Sequence, residues 1–89
     1  EGFVSVYAVV ETKTGTILAG PDIQARGMAE DDSVFEEVLP DVTAALQAAL
    51  DKGNADARSL QQAMRRALGR WIGRRLRRRP MIVPVVIEA

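Results

Sequence analysis

Arg66, Arg70, Arg74 and Arg77 recur every three or four residues near the end of an 89-residue chain, and Arg78 follows at once. On a helix that spacing lines the guanidinium groups up along one face. Arginine is always charged and presents a planar fork of N–H donors, so such a row suits phosphate oxygens on an RNA or DNA backbone. Other uses stay open. The row could be a solvated face beside a helix C-terminus, where cations are favoured, or it could dock on an acidic part of the same chain. A protein partner is a further use. A membrane surface fits less well, because the helix lacks the broad bulky apolar face of interfacial helices, and no membrane partner is expected.

The remaining candidates for chemistry have simpler accounts. The chain contains neither histidine nor cysteine, which removes the commonest general base, the usual metal ligand, thiolate zinc sites and any Ser-His-Asp arrangement. Lys13-Thr14-Gly15 matches a tripeptide of penicillin-binding enzymes, but no Ser-x-x-Lys supplies a nucleophile, and a hairpin turn explains it. Glu30, Asp31, Asp32, Glu36 and Glu37 lack the glycine-containing loop of a calcium site and fit the start of a helix instead. Trp71 lies on an apolar stripe and reads as core rather than as a base-stacking platform. Gly69 and Gly73 have small-xxx-small spacing, and close packing of the helix against a neighbour is the expected reason.

The charge is divided along the chain. Up to residue 57 there are eleven acids against Lys13, Arg26 and Lys52, and from residue 58 there are nine arginines against Glu88, giving no net charge overall. The chain is thus a charge dipole along its sequence. Its size sets one small domain, and the first residue, Glu1 rather than methionine, suggests a piece of something longer. No apolar run approaches the roughly 20 residues of a membrane-spanning helix. Without cysteine, the expected setting is the cytoplasm.

These residues need elements to hold them. Phe3 to Val10 alternates and reads as a strand, a turn follows at Lys13-Thr14-Gly15, and Thr16 to Ala19 returns as a shorter strand that Gly20-Pro21-Asp22 stops or bends. Ser33 and Glu36 have capping-box spacing ahead of a helix whose apolar positions are Phe35, Val38, Leu39, Val42, Leu46 and Leu50 and whose end is Gly53. Pro40 should kink that helix near Val38 or break it in two. A second helix should run from Asp56 as N-cap, with Leu60, Met64, Leu68, Trp71, Ile72 and Leu76 as its stripe, and stop before Pro80. Met81 to Ile87 is a third strand, and Pro84 places it at an edge. The fold class is α+β, two-layer, a small three-stranded sheet faced by two helices in the order β-β-α-α-β. Met81, Val83, Val85 and Ile87 are apolar on the side away from Ile82 and Val86, and Phe3, Tyr7 and Val9 join them from the first strand. That face should be covered by something besides the helices.

Two stretches carry a family resemblance. Arg78-Arg79-Pro80-Met81-Ile82-Val83-Pro84-Val85-Val86-Ile87-Glu88 resembles the closing motif of the ribonuclease J family. Ile17 to Gly27, ILAGPDIQARG, is similar to the segment after the hairpin in the C-terminal domain of the same enzymes. The resemblance implies a parent with a metallo-β-lactamase domain and an inserted β-CASP domain, a two-zinc phosphodiesterase that acts on RNA as a 5′-to-3′ exonuclease and an endonuclease in messenger turnover and ribosomal RNA maturation. Its zinc and catalytic residues would lie upstream, so the resemblance assigns no catalytic, metal or cofactor residue to this chain. Residues 1–89 would be a single C-terminal accessory domain, not an enzyme alone, needed for full activity and for assembly. The implied partners are a second copy, in a dimer or tetramer, and the parent's catalytic domains. Gly27-Met28-Ala29 departs from the family, which has an aromatic after the glycine. The helix from Leu68 to Arg79 is also richer in arginine than the family pattern, which keeps RNA open as a partner.

Overall fold

Val4, Val6, Ala8 and Val10 are completely buried while the residues between them face the other way, so strand β1 (Phe3–Glu11) has one covered side. The computed structural model of the chain describes residues 2–28, 30–53 and 56–89; Ala29, part of the departure after Gly27, lies outside them. A turn at residues 12–15 returns the chain as β2 (Thr16–Arg26), antiparallel to β1. Here the structure corrects the reading of the sequence, because the strand does not stop at Ala19. It bends at Gly20 and runs on to Arg26, with register shifts between Tyr7 and Val10 where Pro21, which has no N–H for a ladder, turns inward and is buried. Gly20 has φ +79°, and a Cβ there would meet the Tyr7 carbonyl oxygen at 2.7 Å. Only glycine fits that bend.

Strand β3 (Met81–Glu88) lies parallel to β1 on its other side, giving the order β2-β1-β3 and the edge position that Pro84 demands. Met81 N donates to Gly2 O and Ala89 N to Val10 O, so odd-numbered amides of β3 point at β1 and even-numbered ones at the open edge. The N–H that Pro84 lacks is therefore missing from the open edge, where it costs the ladder nothing.

The helical half follows the expected order with one division. Pro40 splits the first helix into a 3₁₀ segment, Asp32–Glu37, and α1, Leu39–Asp51, in which the proline occupies the first turn, where its absent amide is not needed. The cap is Asp31 and not Ser33: its carboxylate accepts the Ser33 amide at 2.9 Å, and the Val38 amide donates only three residues back, to Phe35 O. Helix α2, Ala57–Trp71, has Asp56 as its N-cap as expected, and Ser59 completes a capping box with it that the sequence reading did not include. It then widens into a π turn, Ile72–Leu76, closed by Arg77 N donating to Ile72 O. Phe35, Val38, Val42, Leu46 and Leu50 meet Leu60, Met64, Leu68, Trp71 and Ile72 over the covered side of β1. The architecture is α+β, a sheet with its helices on one face.

Candidate functional site

The arginines converge where α2 ends and β3 begins. Two open clefts, about 560 and 450 Å³, share Gly69, Arg70, Gly73, Arg78 and Arg79; the first adds Arg74 and Arg77, and the second adds Arg65, Arg66, Ile72, Pro80 and Ile82. Together they form one groove running along α2 and round its end. Arg66, Arg70 and Arg74 lie on it as helical spacing requires. Arg77 does not belong to the helix: it is the residue after the π turn, in the left-handed region at φ 56°, and it reaches the same groove from there.

Two of the arginines serve the acidic half of the chain. Arg75 Nε lies 3.5 Å from Glu37 Oε1, and Arg78 Nε lies 3.3 Å from Glu30 Oε2. The Arg75 pair is more than half exposed on both sides and contributes at most about 1 kcal/mol. Among the described residues no carboxylate partners Arg70, Arg74 or Arg77.

The other acids are placed by the same segment. Asp32 Oδ1 accepts the Ala25 amide at 3.3 Å, which occupies an amide on the outer edge of β2, and Glu37 Oε2 accepts Trp71 Nε1–H at 2.9 Å. Trp71 is buried, tilted against Phe35 with ring centroids 5.6 Å apart, as its place on the apolar stripe led one to expect. Among the described residues no group of acids is arranged to hold a metal, and with histidine and cysteine absent these residues do not fit the zinc that the resemblance gives to the parent. Close packing requires neither glycine: a Cβ at Gly69 would meet only Ile82 Cδ1, at an ordinary contact distance of 3.4 Å, and one at Gly73 would meet nothing.

The second candidate surface is the side of the sheet away from the helices. Cα partners across β1 and β3 pair Phe3 with Met81, Ser5 with Val83, Tyr7 with Val85 and Val9 with Ile87. Met81 is 69% exposed, Ile87 52% and Phe3 43%, with Val83 and Val85 close behind and Tyr7 and Val9 half-buried between their neighbours. On β2 the same face carries Asp22, partner of Tyr7, and Arg26, partner of Phe3. Sequence alternation found this face; the parallel pairing that brings its two rows side by side left no local signal.

The described residues thus form a small α+β domain, a three-stranded sheet with one helical layer and a basic groove at the end of α2. Comparison places it further: the profile of the Ribonuclease J C-terminal domain matches residues 1–89, and the chain belongs to that family. It is 41% identical over 87 residues to proteins named Ribonuclease J from two strains of Mycobacterium tuberculosis, CDC 1551 / Oshkosh and ATCC 25618 / H37Rv; each match covers 98% of this chain and 16% of the relative. The chain thus spans about one-sixth of the length of these relatives. Among the described residues no helix is long and apolar enough to cross a membrane.

Proposed function

We propose that this chain is the C-terminal accessory domain of a ribonuclease J-like enzyme, one that degrades and matures RNA in the cytoplasm with zinc held upstream. Its own part is assembly, through the bare face of its sheet. The observation that carries this reading is the outward row of Phe3, Tyr7, Val9, Met81, Val83, Val85 and Ile87, a contiguous apolar surface of the kind that marks interfaces. A second copy is the occupant that fits best. Opposite charges, Asp22 and Arg26, stand four positions apart on the flank of the face, so a twofold-related copy can set each against its complement. Pro84 interrupts the donors on the β3 edge, which favours sheet-face over edge-to-edge association.

The test is the solution mass of the intact protein by light scattering, with Tyr7→Asp and Val85→Asp combined. A lower mass with an unchanged circular dichroism spectrum supports the reading. An unchanged mass, or cross-links from this face only to upstream parts of the same chain, overturns it.

A further inference from the structure

Two residues beside the basic groove have conformations or sizes that packing does not require. Gly73 sits in the π turn, where glycine weakens a helix, yet a Cβ added there would meet nothing within 4 Å. Arg77 shows the converse. It ends the helix in the left-handed region, φ 56°, where an L residue is disfavoured and glycine is the usual choice. A large side chain stands where a small one would be easier, and none stands where one would be harmless. Both border the cleft of about 560 Å³ that also holds Arg70 and Arg74.

We propose that this groove seats the phosphate backbone of single-stranded RNA. Arg70, Arg74 and Arg77 hold phosphate oxygens above the bare floor at Gly73, and Arg66 extends the track along α2. Residues one turn apart on a helix are about 5–6 Å apart at Cβ, so the row is a line of charge and suits a polyanion better than a single anion. Arg78, on the wall of the cleft, is engaged by Glu30, and Arg75, paired with Glu37, lies outside it. The cleft at the Arg77 end is lined only by glycine and arginine. That end has no apolar residue to anchor a protein side chain, Ile72, Pro80 and Ile82 lying at the other end, and neither cleft has an aromatic ring to stack on a base. The contact should therefore ignore sequence, and DNA of the same length should bind comparably. Choosing RNA over another polyanion rests on reading the parent as a ribonuclease.

The experiment is fluorescence anisotropy of a labelled mixed-sequence RNA of about twelve nucleotides titrated with this chain. Three phosphate contacts should weaken binding roughly twentyfold between about 50 and 200 mM salt, and replacing Arg70, Arg74 and Arg77 with Gln should weaken it by about tenfold or more at low salt. Two single variants separate binding from folding. Arg77→Gly should raise the melting temperature while weakening RNA binding several-fold, and Gly73→Leu should weaken binding without lowering the melting temperature. No binding at low salt, affinity unmoved by the triple variant, or tighter binding of a poly-glutamate peptide than of RNA would overturn the proposal. RNA shortening by the intact protein is scored separately. An intact protein inert toward RNA whose groove still binds it removes the ribonuclease reading and keeps the groove, whereas an active protein with an inert groove does the reverse.

Discussion

Trp71 Nε1–H donates to Glu37 Oε2 at 2.9 Å while its ring lies against Phe35, so one side chain pins the 3₁₀ segment to the end of α2 by both a polar and an apolar contact. The two contributions separate by substitution. Trp71→Phe keeps a ring and loses the donor, which should cost about 1 kcal/mol, whereas Trp71→Ala also empties the core and should cost about 3–5 kcal/mol. Urea titration measures both. Equal losses would mean that the hydrogen bond, not the ring, holds the junction.

Asp56 gives the start of α2 a pH dependence. The Ser59 amide, which donates to the Asp56 carboxylate at 2.8 Å, and then the nearby Ser59 hydroxyl hold its pKa below the ordinary 3.8. A depressed carboxyl pKa stabilises the fold above the unfolded value, and that stability is lost as pH falls through the folded value. The melting temperature of Asp56→Ala should therefore lie below that of the unaltered chain by a constant margin near neutrality, and the margin should narrow below about pH 3.8. A margin that persists unchanged in acid would show that the cap works without its charge.

Gly20→Ala should destabilise the sheet by more than about 1 kcal/mol, because its Cβ would strike the Tyr7 carbonyl oxygen in a backbone conformation with φ +79°. Thermal unfolding would register this as a drop of several degrees for a domain of this size. Gly53, also at positive φ but with open space around it, is the comparison: Gly53→Asn should cost far less.

Pro84→Val should leave the β1–β3 ladder intact, since the amide it restores points away from β1, and stability should stay within about 0.5 kcal/mol. What should change is association. A continuous run of donors on the β3 edge should make the chain aggregate at lower concentration, seen as earlier turbidity on heating. If ladder stability falls instead, the assignment of odd amides to β1 is wrong.

Much of this was legible in the residues because the signals are local. Alternation from Phe3 to Val10, the Asp56 cap, the Pro40 break and the Pro84 edge each follow from a few neighbours. β2 was read too short because Gly20-Pro21 is a terminator by local rules, and only the bulge opposite Tyr7 and Val9 lets the strand absorb it. Ser33 and Glu36 had the spacing of a cap, yet Asp31 took that role, as a proline downstream turned the segment into a tight 3₁₀ winding. Arg66 and Arg70 stand on α2 as their spacing predicts, and Arg74 stands on the π turn that continues it. Arg77 was placed on a regular helix that in fact widens by one residue per turn, and nothing in the spacing of Ile72 to Leu76 announces a π turn.

The parallel pairing of β3 with β1 has a kinetic consequence. Phe3 is matched on one side with Arg26, close along the chain, and on the other with Met81, almost the whole chain away. The hairpin can zip at once, but its inner strand must wait for both helices before the other flank closes, because loop closure over such a span is entropically slow. Until then β1 is an exposed template with apolar residues on both faces. On the proposed assembly through the bare sheet face, folding and assembly would compete for the same strand, and their order would decide whether copies join as finished domains or by exchanging their last strands.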